Sequence, residues 1–340
     1  MFPDSYDEAE LLKILESERK KLKSLVDKIP DKKPEENTDN LFICRKLSDD
    51  PLFSCTISLD YSIYYPEEDH VRVFFMEKWK CLNIFRKKGF DRLFFPLVST
   101  PIFISYPDQE ESVTSICTFC NDLYLLVLYA SRNLYRHYFY DGYAYHDLIT
   151  MKQHSLMLIQ SHTSWMIFVF GFNSITFVDS KFEISRSFNV GDYPITDIYV
   201  SNSPNLMLIK NTNEVLLFSL PENSIIVSLN VDPVLGCIIS EKCILIVLRN
   251  SVRIYRERGV LDKEMEIDVH VACCNDRIFG IVKSDKHTIV IMNYDLKQYF
   301  SIELIGEEIN NICMSSYDRK MYLIVTRHNG SIEVYSITYH

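Results

Sequence analysis

The chain has 340 residues, 47% hydrophobic and 24% charged, so it can bury a substantial core and does not have the composition of a disordered segment. Its 36 Lys+Arg against 46 Asp+Glu leave a formal net charge of −10, opposite in sign to the field of a dedicated nucleic-acid binder. Only 9 glycines occur, under half the usual share of roughly 7%, which leaves little material for glycine-rich phosphate cradles.

Met1-Phe2-Pro3-Asp4 lacks a charged region followed by an apolar stretch, so no secretory signal is expected. The most apolar windows, 123–130 and 165–172, are well short of the ~20 residues needed to span a bilayer. Scattered cysteines in a chain of this size fit reduced thiols and a cytoplasmic or nuclear setting.

Residues 1–30 read as one amphipathic α-helix. Ser5-Tyr6-Asp7-Glu8 has capping-box spacing with acidic groups at the positive end of the helix dipole. Leu11, Leu15, Leu22, Leu25 and Ile29 follow at helical steps, Pro30 ends the run, and 31–40 is a polar linker. Such a helix either lies on its own domain or docks a partner through that apolar seam, as a short coiled coil would.

From Leu41 onward the pattern is all-β, with apolar runs of 4–8 residues separated by polar turns such as Asn329-Gly330 and Asp141-Gly142. One short pattern recurs at Ser174–Val178, Glu214–Phe218, Ser251–Tyr255, Thr288–Met292 and Ser331–Tyr335. Anchored on Ile175, Val215, Val252, Ile289 and Ile332, the steps are 40, 37, 37 and 43 residues. Each copy sits among three further strand-like runs, and four strands per ~40 residues is the period of a β-propeller blade.

Counting backward, Leu134 lies 41 residues before Ile175, and Val71 lies 63 before Leu134. The long step predicts an insertion at about 89–112. Seven units result. The last strand-like run ends at Ile337, three residues before the end of the chain, and 41–47 is a spare strand, so 41–47 is expected to complete the last blade and close the ring.

A leading helix, a closing strand and units of about 40 residues resemble the WD-repeat β-propellers, with a layout similar to the G-protein β subunits. The family's Gly-His and Trp-Asp are absent; Val178-Asp179 and Tyr294-Asp295 retain only an apolar or aromatic residue before Asp. The stretch 217–255 is also similar to phosphoinositide-binding autophagy propellers. Their Phe/Leu-Arg-Arg-Gly lipid motif is approached only by Arg256-Glu257-Arg258-Gly259.

Cys117-Thr118-Phe119-Cys120 has metal-ligand spacing, but on a strand residues three apart point to opposite faces. Small core thiols are the expected outcome, and no metal or cofactor is predicted. The nine histidines form no H-E-x-x-H, and G-x-S-x-G and Walker sequences are missing too, so nothing proposes an enzyme.

Two clusters stand out as binding candidates. Lys78, Lys80, Arg86, Lys87, Lys88 and Arg92 interleave with phenylalanines, a pattern suited to RNA or phosphate-bearing partners and equally to a solvated strand pair. Tyr138, Tyr140 and Tyr143, with Tyr135 and Tyr145, suit either a protein-binding rim or aromatic stacking between blades. The expected function is a non-catalytic scaffold for other proteins of a multi-subunit complex, with a phosphoinositide or RNA reader using 78–92 as the alternative.

Overall fold

The computed structural model describes residues 42–339 apart from stretches between strands, the longest being 48–54, 66–70, 77–80, 96–100, 106–112, 120–123, 150–155 and 201–205. The expected helix 1–30 and linker 31–40 lie outside the described residues, and among the described residues every regular element longer than a turn is a strand.

In chain order, β1 is Phe42–Lys46 and β2 is Cys55–Tyr64. The first blade follows: β3 (Arg72–Met76), β4 (Cys81–Arg86), β5 (Gly89–Phe94) and β6 (Ile102–Ser105). The second is β7 (Val113–Phe119), β8 (Tyr124–Tyr129), β9 (Leu134–Tyr140) and β10 (Tyr143–Ile149). The third is β11 (Leu156–His162), β12 (Trp165–Phe170), β13 (Ser174–Val178) and β14 (Ile184–Asn189). The fourth is β15 (Ile195–Val200), β16 (Leu206–Asn211), β17 (Val215–Ser219) and β18 (Ser224–Leu229). The fifth is β19 (Val234–Ile239), β20 (Ile244–Leu248), β21 (Ser251–Tyr255) and β22 (Leu261–Glu266).

A five-stranded sheet then holds β23 (Val269–Cys274), β24 (Ile278–Lys283), β25 (Thr288–Asn293) and β26 (Gln298–Leu304), with β1 added outside β26. The closing sheet combines β27 (Ile309–Tyr317), β28 (Lys320–Arg327) and β29 (Ser331–Tyr339) with β2. All pairings are antiparallel, and apart from β1–β26 and β2–β29 they join consecutive strands as meanders. Seven equal four-stranded units are therefore not what the described chain forms: six sheets have four strands, and one has five.

Two expectations need correcting. Residues 41–47 do not complete the last blade. That place belongs to β2, which pairs with β29 from Cys55↔Tyr339 to Tyr64↔Ser331. The reason is length and pattern. β2 spans ten residues against the nine of β29, and a bulge at Asp60 divides its apolar side chains between two neighbours. Ile57 and Leu59 pack toward the five-stranded sheet, and Tyr61 and Ile63 toward the first blade. β1 is shorter and instead pairs with β26, Phe42↔Leu304 through Lys46↔Phe300.

Nor is 89–112 an insertion. It holds β5 and β6 and runs into the stretch before β7. The true counterpart of the recurring third strand is β5, so Phe90, 44 residues before Leu134, replaces Val71 as the anchor. Val71 precedes the inner strand β3.

The periodicity extends to irregularities. A bulge follows the first residue of β7, β11, β15, β19, β23 and β27 alike. Bulges raise local twist, which radial sheets need in order to face one another. The core is divided among the seams between neighbouring sheets. Leu82, Ile84 and Leu93 of the first blade meet Ile324, Ile332 and Val334 of the closing sheet, which completes the ring.

Candidate protein-interaction surface

The tyrosine-rich segment forms the outer hairpin of the second blade. Tyr145 lies opposite Tyr138 and Tyr143 opposite Tyr140, so the register puts these four on one face; Tyr135 belongs to the other. Tyr138 and Tyr145 stack at 5.6 Å between centroids, and Tyr124 meets Tyr138 edge-on at 6.1 Å. Arg136 occupies the same face. It donates to Asp147 through Nε (3.0 Å) and Nη2 (2.5 Å), with its guanidinium 4.9 Å from the Tyr124 ring and 5.8 Å from that of Phe182.

Partial burial of Arg136 works against its charge, but the paired Asp147 carboxylate outweighs this and raises its pKa. Burial, then Asp147, raises that of Tyr138. The hairpin thus presents rigid aromatic area held by a planar ion pair, while the exposed Leu148 lies with Tyr135 on the opposite face. Of the residues singled out in the sequence, Tyr138 and Tyr145 are half-buried, and Tyr140 and Tyr143 are placed by strand register alone. Leu11, Leu15, Leu22, Leu25 and Ile29 lie outside the described residues.

The basic cluster does not form one surface. Lys78, Lys80 and Lys87 lie outside the described residues, and Lys88 is exposed in the β4–β5 turn. Arg86 points toward the closing sheet, where its Nη2 donates to Asp91 (3.1 Å) between the rings of Tyr65 and Phe103, 4.9 and 4.8 Å away. The Tyr65 hydroxyl donates to the same carboxylate at 2.6 Å.

Arg92 is a correction. It is 2% exposed, donates from Nε to Asn83 at 2.7 Å, and faces the second blade instead of solvent. Both faces of β5 are covered, so alternation here separates two seams and leaves no solvent side. Burial lowers the pKa of Arg92. Its neighbour across the seam is His137, also 2% exposed, set edge-on to Phe90 with ring centroids 5.5 Å apart. Neither imidazole nitrogen of His137 has a hydrogen-bond partner in the structure. Burial first, then His146 and Arg92, depress its pKa to about 3. Residue counting gave no hint of this buried polar seam; the signal was an Arg and a His at central strand positions.

The remaining candidates have structural roles. Cys117 is buried and its thiol pKa is pushed up by burial; Cys120 lies outside the described residues. Among the described residues no group of three or more His, Cys, Asp or Glu could hold a metal ion. Arg256 pairs with Asp262 at 2.7 Å, and Gly259 takes a φ of +73° where a Cβ would sit 2.5 Å from Val227 Cγ1. That glycine serves a tight turn packed against the fourth blade. No described helix is long and apolar enough to cross a membrane.

Radially arranged antiparallel four-stranded sheets, closed by a strand from the opposite end of the chain, define a β-propeller. Among solved structures, the chain is similar to the β-propeller domain of Cps50 (Swd1) from Myceliophteria thermophila. The TM-score is 0.65 at 13% identity, over 83% of this chain and 100% of that one. It is also similar to Raptor from Chaetomium thermophilum (TM-score 0.65, 11% identity), over 79% of this chain and 28% of the Raptor chain. No family model matches the sequence, and no curated protein matches it. At these identities the likeness is one of fold.

Proposed function

We propose that the protein is a non-catalytic scaffold, a propeller that binds other proteins of a multi-subunit complex. The observation that carries this reading is the aromatic face of the β9–β10 hairpin, where Tyr138 and Tyr145 stack beside the Arg136–Asp147 pair. Tyrosine and arginine are enriched in protein-binding hot spots; tyrosine adds large contact area at small entropic cost, and Arg136 is already ordered by Asp147. The fold shared with the Cps50 (Swd1) and Raptor propellers agrees with a presenting role, since a closed ring offers rigid loops and outer strands. The N-terminal segment, read as a helix with Leu11, Leu15, Leu22, Leu25 and Ile29 in its seam, is a second attachment point in this proposal. The reading assigns the protein to the cytoplasm or nucleus.

The test is affinity purification of the tagged full chain beside two variants, Tyr138→Ala/Tyr145→Ala and a deletion of residues 1–30. Loss of a hot-spot pair costs at least ~2 kcal/mol, so recovery of specific partners should fall more than about tenfold in at least one variant. Folding is checked by circular dichroism. Undiminished recovery by both variants overturns the reading.

A further inference from the structure

The fifth strand marks a second interaction surface. The outer strands β14 and β22 alternate exposed and half-buried residues. β26 differs: Tyr299, Phe300, Ile302 and Leu304 are all buried. A strand of that composition with an open edge would pair with any available chain, and β1 covers it.

Main-chain bonds hold β1 there, and its described side chains are exposed. Its five residues pair in register, and the Leu47 amide adds a bond to the Tyr299 carbonyl at 2.8 Å. Ile43 and Leu47 remain 44% and 46% exposed, and the Arg45–Glu303 pair (3.6 Å) is exposed on both sides. Exposed ion pairs add little. Moreover, β1 stands outside the closure of the ring, because β2 completes the closing sheet. No described β1 residue belongs to a core cluster, so release of β1 uncovers the β26 edge while β2 keeps the ring closed.

We propose that the β26 edge is a strand-accepting surface whose partner in trans is residues 42–47 of a second copy of this chain. Those residues are the segment the structure shows to fit it. In a reciprocal exchange each copy lends β1 to the other, both edges stay covered, and a closed two-fold dimer results. The cis strand competes at an effective concentration of roughly millimolar, so the exchanged form is populated as protein concentration rises.

Arg45 lies directly opposite Ser301, at a Cα separation typical of antiparallel pairs and within disulfide range. Two full-length chains are prepared, both with Cys44→Ser, one carrying Arg45→Cys and the other Ser301→Cys. After incubation together and mild oxidation, a covalent heterodimer is expected on a non-reducing gel. Its share should rise about tenfold over a tenfold rise in dilute protein, as a bimolecular step requires, and Ile43→Pro should abolish it. A third chain with both cysteines reports pairing in cis. If it closes on itself while the mixture stays monomeric at every concentration, the exchange is refuted. If neither closes, β1 does not occupy this edge and the proposal falls with it.

Discussion

Two seams of the ring solve the same packing problem differently. Between the five-stranded sheet and the closing sheet, the interface is apolar through Phe300, Ile302, Leu304, Ile312, Leu323 and Val325. Among the described residues its one buried ion pair is multiply hydrogen-bonded. Arg327 donates to both carboxylate oxygens of Glu333 at 2.9 and 3.0 Å and to the Ile305 and Glu307 carbonyls, and the Tyr335 hydroxyl donates to Glu333 at 2.7 Å. Between the first and second blades, Arg92 and Asn83 sit mid-seam against His137, whose nitrogens stay unpartnered. A buried polar group costs free energy until its bonds are made. The first arrangement adds rigidity to the closure; the second makes its seam sensitive to acid.

The largest effect should come from breaking the saturated network. Glu333→Ala leaves Arg327 buried without its carboxylate and should cost about 3–5 kcal/mol, read from the urea midpoint. In the apolar part of the same seam, Leu323→Ala should cost about 2–5 kcal/mol through transfer and cavity terms. A smaller loss, with milder substitution costs, would mean that the seam relaxes around the gap.

Acid sharpens the comparison. His137 has a folded pKa of about 3, below its unfolded value of 6.5. The unfolded chain therefore binds the extra proton between these limits, so stability falls as pH drops from about 6.5 toward 3. From pH 7 to pH 5 the wild type should lose about 2 kcal/mol more than His137→Leu, measured by denaturant titration at each pH. Equal slopes would show that this imidazole does not titrate on unfolding. The smallest effect belongs to the rim: Arg45→Ala should change stability by under about 0.5 kcal/mol.

Much of the architecture could be read from the chain because the third strands β13, β17, β21, β25 and β29 are buried on both sides and keep their apolar signature. Ile175, Val215, Val252, Ile289 and Ile332 all proved to be third-strand residues. The closing strand was misjudged because 41–47 and 55–64 both look like strands, and only pairing length and the Asp60 bulge tell them apart. The first blade was misread because Val71 resembles an anchor, whereas Phe90 is flanked by Asp91 and Arg92, whose charges conceal a core strand. The face shared by Tyr138 and Tyr145 follows from a hairpin register that strand alternation predicts. The pairing of Arg136 with Asp147 follows from the same register, but Phe182 comes from the next blade and was out of reach of local pattern.

The route of the chain before β3 has one further consequence. Residues 42–64 fasten first to the five-stranded sheet and then to its neighbour, so the strap that shuts the ring lies downstream of the outer one. A single cut within 48–54 would leave the leading segment held to the frame only by the pairing of β1 with β26, while β2 kept the circle shut.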